Sequence, residues 1–298
     1  MKFSFNSFVP KLTMAAAVAA TLAGCGEPEY PTPTPISSAN VAQASVLVVN
    51  AAPGTRGITA TLENLPFGTT IPYLGTFVPT YTPIQSGLRL FVFNDPANIP
   101  ATPTVPPPPA PQPATTPLPV ITSPRTLLAR ATYAVGTNYT VFLTDPPTRA
   151  YAYLITATSD QGGIRTLTLI DDLAAPTVAT NAKIRFVNLA PTATGGNTTY
   201  GIYNSTTAAS LFSTVPLRAY RALSVTTPVA ANYANFTEVA AGSYTLDVRS
   251  VATAAIAGTQ QVVTLAPGKI YTLYTRGISN GAANNGPTPL GISVVTHN

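Results

Sequence analysis

Val49–Pro53 reads Val-Asn-Ala-Ala-Pro, and nearly the same five residues return as Val-Asn-Leu-Ala-Pro at Val187–Pro191. Two further motifs follow each copy in the same order. Gly87-Leu88-Arg89-Leu90-Phe91-Val92 stands where Gly242-Ser243-Tyr244-Thr245-Leu246-Asp247-Val248 stands later. Gly136-Thr137-Asn138-Tyr139-Thr140-Val141 resembles Gly268-Lys269-Ile270-Tyr271-Thr272-Leu273. The spacings between motifs differ, which puts the insertions in loops. Three motifs in one order identify an internal repeat, so a fold open to one half must be open to the other.

The motifs read as strands. Tyr244, Leu246 and Val248 alternate with Thr245, Asp247 and Arg249, and Leu167 and Leu169 alternate with Thr166 and Thr168. Period-two alternation marks a strand with one dry and one wet side. In the opening strand of the second copy, Ile184 and Phe186 are expected inward, with Lys183 and Arg185 in water. Val46 and Val48 take the inward places in the first copy. The 14 Tyr and 11 Phe suit half-buried strands, and long helical spacing is absent beyond the first 25 residues. Short strands broken by Pro, Gly and Asn turns predict an all-β chain of two tandem immunoglobulin-like antiparallel β-sandwich domains.

The repeated Asn-x-Ala-Pro step has a turn reading. The opening strand ends at the Asn, whose side chain bonds its own nearby backbone, and Pro cannot continue the ladder. A ligand-binding loop at Asn50 and Asn188 is the functional alternative. Tyr271 follows the Pro267-Gly268 turn and is placed like a tyrosine-corner residue, its hydroxyl tied to the backbone upstream; Tyr139 is its counterpart. Sugar stacking on these rings is the competing reading.

Ala182–Pro191, Val239–Val248 and Val263–Gly277 together resemble the bacterial domain of unknown function 4397. The likeness covers Asn181–His297 well. It covers Ser45–Asp172 more loosely, since that half lacks the Arg in strand one and carries a long insertion. The resemblance implies an immunoglobulin-like sandwich in an exported, often lipid-anchored protein. It brings no activity and no catalytic residues.

The first 25 residues hold two charges, Lys2 and Lys11, then an apolar run from Met14 to Leu22. That is the pattern of an export signal, and the run is too short to span a bilayer, which takes about 20 residues. Leu22-Ala23-Gly24-Cys25 resembles the lipobox of bacterial lipoproteins, which implies acylation (palmitate-type chains) at Cys25 and cleavage before it. The expectation is a lipoprotein signal peptide at 1–24 and a membrane anchor through acyl chains on Cys25. Cys25 is the only cysteine, so no disulfide forms within a monomer. Gly26 is not the Asp that retains some lipoproteins at the inner membrane, which points to the outer membrane. The remaining divisions are a Pro-rich tether at 25–44, a first sandwich at 45–172 with a Pro-rich loop at 94–124, a linker at 173–181 and a second sandwich at 182–298.

The chain has 15 Lys+Arg against 10 Asp+Glu, with no basic run that would serve nucleic acid. His297, the single histidine, is penultimate, and a terminal residue is expected to fray into solvent without a catalytic role. One His and one Cys cannot build a zinc site of the usual kind or a catalytic triad within a monomer. Asp171-Asp172 reads as an exposed strand end, with calcium as the alternative. No catalytic, cofactor or metal residues are therefore expected. The reading is a non-enzymatic, lipid-anchored cell-envelope protein with structural or protein-interaction modules. The alternative is a carbohydrate-binding or adhesion module. The expected partners are the membrane through Cys25 and an envelope protein or glycan.

Overall fold

The computed structural model describes residues 41–76, 81–95, 127–147, 149, 163–192, 197–226, 231–251, 253–279 and 288–298. The expectations placed on the signal peptide, on Cys25, on the tether up to residue 40 and on the proline-rich stretch from 96 to 124 lie outside these residues. All regular structure among the described residues is β. The first half contributes β1 (Gln43–Asn50), β2 (Gly57–Leu62), β3 (Thr82–Gln85), β4 (Gly87–Asn94), β5 (Leu127–Tyr133), β6 (Asn138–Thr144) and β7 (Arg165–Asp171). The second contributes β8 (Asn181–Asn188), β9 (Thr199–Asn204), β10 (Thr237–Ala240), β11 (Gly242–Val251), β12 (Gln261–Leu265), β13 (Ile270–Arg276) and β14 (Gly291–Thr296).

The two sets pair alike. One front sheet runs β3-β1-β6-β7 and the other β10-β8-β13-β14. The back sheets join β2, β4 and β5 in the first copy and β9, β11 and β12 in the second. Two-residue strands, Ile71–Pro72 and Arg218–Ala219, add to β2 and β9 at matching places. Among the described strands pairing is antiparallel except between β1 and β6 and between β8 and β13, which run parallel. Even the register repeats: Val46 lies opposite Tyr139, and Ile184 opposite Tyr271.

The motifs do the same local work in both copies. Asn50 and Asn188 are buried, and each accepts a hydrogen bond on Oδ1 from the N–H two residues on, of Ala52 and Ala190, at 3.2 Å. Each donates its amide across the sandwich, to the Ile71 carbonyl at 3.1 Å or the Arg218 carbonyl at 2.9 Å. Both side chains are spent on turning the chain and holding a short strand, which favours the turn reading over a ligand loop. Tyr139 and Tyr271 are corners: their hydroxyls accept from the N–H of Ala134 at 2.8 Å and of Ala266 at 3.0 Å. The preceding glycines, Gly136 and Gly268, sit at φ +67° and +74°, which L side chains resist.

Tyr271 is buried, so truncating it leaves a hole as well as an orphaned N–H. Tyr271→Ala is expected to cost about 3 kcal/mol or more, and Tyr271→Phe about 1 kcal/mol. Urea melts of the two variants check this, and an Ala variant as stable as the wild type would rule out the corner.

Three apolar clusters follow from the strand faces. Val46, Val48, Tyr139 and Val141 meet Ile58, Phe91, Phe93 and Tyr133 inside the first sandwich. Ile184, Phe186, Tyr271 and Leu273 meet Ile202, Leu246, Val248 and Leu265 inside the second. The third cluster joins the copies: Leu47, Val49, Phe142 and Leu169 pack with Val187, Leu189, Tyr274 and Val295. The front sheets thus bury the sides that point away from their own cores. Phe142 and Tyr274, equivalent residues of β6 and β13, meet with ring centroids 5.4 Å apart. Equivalent positions of the two copies build the seam, as in an isologous dimer written into one chain.

This seam overturns one expectation. Arg185 does not face water; it is fully buried between the two front sheets. Its fold equivalent in the first copy is Leu47, a seam residue. Lys183 stays near solvent and pairs with Asp172 at 3.4 Å. Asp247 and Arg249, expected on the wet side of β11, are also buried: they form an ion pair at 2.7 Å, and the Arg249 guanidinium lies 4.8 Å from the centre of the Tyr203 ring.

Candidate functional site

One group of buried polar residues gathers at the seam. β7 ends with Asp171, whose carboxylate takes hydrogen bonds from Thr140 Oγ1 on neighbouring β6 at 2.7 Å and from the Tyr81 hydroxyl at 2.7 Å. Arg185 on β8 reaches the other carboxylate oxygen through Nη2. Its Nε donates to Thr272 Oγ1 on β13 at 2.8 Å, and its Nη1 to the Ile170 carbonyl at 3.0 Å. His297 follows β14, with Nε2 2.7 Å from Thr272 Oγ1 and Nδ1 2.6 Å from the Tyr81 hydroxyl. Phe236 covers the group, its ring centre 4.5 Å from the Arg185 guanidinium.

Counting protons assigns the directions. Tyr81 has one proton and gives it to Asp171, so His297 Nδ1 must donate to the Tyr81 oxygen. Thr272 receives from Arg185, so its own proton goes to His297 Nε2. The result is a closed ring, Arg185 to Thr272 to His297 to Tyr81 to Asp171, with Arg185 completing it. His297 is therefore the neutral tautomer protonated on Nδ1. Burial, then the nearby Arg185 charge, pushes its pKa down to about 3. Burial and the Asp171 charge raise the Tyr81 phenol well above its usual range.

Two expectations change here. His297 is not a frayed terminal residue: it is buried, and its backbone N–H bonds the Ile270 carbonyl at 2.9 Å. The Asp171-Asp172 pair divides between environments. Asp172 is exposed and Asp171 is buried, because β-strand alternation turns adjacent side chains to opposite sides. A clue to the buried seam lay in the sequence. Val46 to Val49 is four apolar residues in a row, the pattern of a strand covered on both faces. Nothing local marks Arg185 or His297 as buried.

The ring's chemistry is that of a staple. A histidine whose two nitrogens are both engaged has no lone pair to offer a substrate proton. Asp171 is held by three donors in fixed geometry. Arg185 and Arg221 of the second copy also close the outer edge of β7, bonding the carbonyls of Ile170 and Thr166 at 3.0 and 2.6 Å. Covering an edge in this way blocks stray strand addition at those positions.

Two clefts open beside the seam. One, of about 1020 Å³, lies between Thr168–Asp172 of β7 and its end and, from the second copy, Leu223–Val225 and Ala231–Phe236. The other, of about 570 Å³, lies between Val294–Asn298 and, from the first copy, Leu74–Thr76 and Tyr81. They are the reciprocal crevices that an isologous contact creates. Among the described residues no group of three His, Cys, Asp or Glu is placed to hold a metal ion, and no helix is long and apolar enough to cross a membrane.

No protein-family model matches the chain. No curated protein matches it either. Among solved structures it is similar to a candidate cell adhesion protein of Parabacteroides distasonis at 10% identity, over 86% of this chain and 98% of that one, with a TM-score of 0.18. It is also similar to a candidate cell adhesion protein of Bacteroides eggerthii at 11% identity, over 86% and 96% of the two chains, with a TM-score of 0.17.

Proposed function

We propose that the chain is a lipid-anchored bacterial envelope protein, of the kind built on the domain of unknown function 4397, whose paired sandwiches act as a binding module rather than an enzyme. The observation that carries this reading is Leu22-Ala23-Gly24-Cys25 after a short apolar run, upstream of a compact unit at Ala42–Asn298. A module stapled through a buried seam suits presentation of loops and clefts from a fixed frame. The single histidine and the buried Asp171 are both consumed in the staple, which supports a non-catalytic role. Gly26 after the anchor supports an outer-membrane destination.

The anchor is tested directly. Wild-type protein expressed in a Gram-negative host should partition into the detergent phase, and Cys25→Ser should move to the aqueous phase. Mass spectrometry should find acyl chains on an N-terminal Cys25. An unmodified Cys25 thiol on the wild-type protein refutes the anchor.

A further inference from the structure

Arg218 occupies a place that the fold does not reserve for a charge. It lies on the two-residue strand beside β9, opposite Tyr200, and is 7% exposed. The first copy has Ile71 there: Ile71 lies opposite Ile58, and its carbonyl holds Asn50 as the Arg218 carbonyl holds Asn188. Ile71 is an ordinary member of the first core. One copy therefore satisfies this position with an isoleucine, and the other puts a guanidinium in it.

The guanidinium is enclosed by rings, 4.4 Å from the centre of Tyr233, 4.7 Å from Phe212 and 5.2 Å from Phe186. Nη1 donates to the Phe186 carbonyl, and Nε makes one long contact of 3.5 Å to the Val215 carbonyl. Among the described residues no carboxylate pairs with Arg218, and Nη2 has no hydrogen-bond partner. Burial pushes its pKa down to about 10. Aromatic faces offset part of the cost of enclosing the cation, but they do not replace a counter-ion.

Arg218 lines a pocket of about 260 Å³ with Ser213, Thr214, Asn232, Tyr233 and Asn235. These supply hydroxyls and amides and no acid. Asn232 spends its Oδ1 on the Ala234 N–H at 2.9 Å and keeps its amide protons for another acceptor. We propose that this pocket binds a sugar acid, whose carboxylate meets the Nε–Nη2 edge of Arg218 and whose hydroxyls meet Ser213, Thr214, Asn232 and Asn235. A guanidinium edge matches a carboxylate in two parallel hydrogen bonds. The volume suits one acidic sugar ring, at the small end of ligand pockets. The site belongs to the second copy alone and does not depend on the lipid anchor.

The test is calorimetric titration of the detergent-solubilised full chain with glucuronate and galacturonate, with glucose and acetate in parallel. At least one sugar acid should bind, with glucose and acetate at least tenfold weaker. Arg218→Ile, which installs the first copy's residue, should fold and weaken binding at least tenfold. Arg218→Lys keeps the charge but not the fork, and should also weaken binding measurably, which decides the matter if the Ile variant fails to fold. No binding of either sugar acid, acetate binding as tightly, or full affinity in the folded Ile variant or the Lys variant overturns the proposal.

Discussion

Arg185→Leu should lower the unfolding free energy by about 3–5 kcal/mol, the cost of leaving a buried charge without its partner. The shape of leucine is not the problem, since Leu47 holds the equivalent place in the first copy. The loss comes from Asp171, whose carboxylate keeps Thr140 and Tyr81 but loses its cation in a dry seam. Thr272 and the Ile170 carbonyl lose a donor at the same time. The double variant Arg185→Leu/Asp171→Leu should therefore be more stable than the sum of the two single losses, because a buried ion pair replaced whole by apolar groups is often nearly neutral. Urea denaturation of the single and double variants measures this. An Arg185→Leu protein as stable as the wild type, or strict additivity in the double, would remove the ring as a stabilising unit.

The second large effect is a pH dependence with a definite sign. His297 has its pKa pushed down to about 3 by burial in the folded chain, against an ordinary value of 6.5. The unfolded chain thus takes up a proton near pH 6.5 that the folded chain refuses until about pH 3. Stability from the neutral imidazole is fully present above pH 6.5 and is lost as pH falls toward 3. The slope approaches about 1.4 kcal/mol per pH unit, so the wild type should lose about 2 kcal/mol between pH 6.5 and 5. His297→Gln removes the titrating group, and its stability should be nearly flat over that window, though lower at neutral pH. Equal slopes for the two proteins would show that His297 is solvated after all.

Other features of the staple point the same way. The ring closes only if each hydroxyl donates once, which leaves Tyr81 and Thr272 without spare protons. Tyr81 is the fold counterpart of Phe236, as the residues before β3 and β10 show. The two copies thus place an aromatic ring in matched positions, and only Tyr81 adds the hydroxyl that links His297 to Asp171.

Much of this architecture was legible in the amino-acid order. Period-two alternation around Ile184, Phe186, Leu246 and Val248 specifies strands and their dry sides, because side-chain direction along a strand is local geometry. The repeated Val-Asn-x-Ala-Pro and Gly-x-x-Tyr steps specify where the chain turns, since Asn, Pro and φ-positive Gly act within a few residues of themselves. Duplication then predicts that Asn50 matches Asn188 and Tyr139 matches Tyr271, as the shared registers bear out. What the sequence could not decide is which second side of a strand also goes dry. Arg185 alternates with Ile184 and Phe186 as a solvent-facing residue should, and His297 sits where chain ends fray. Both are buried because the two front sheets meet, and that meeting depends on the summed surface of Leu47, Val49, Phe142, Val187 and Tyr274, residues far apart in the chain. Once the seam excludes water, a charge left in it must be paired, and Asp171, Tyr81, Thr272 and His297 are the groups that tertiary packing brings within reach.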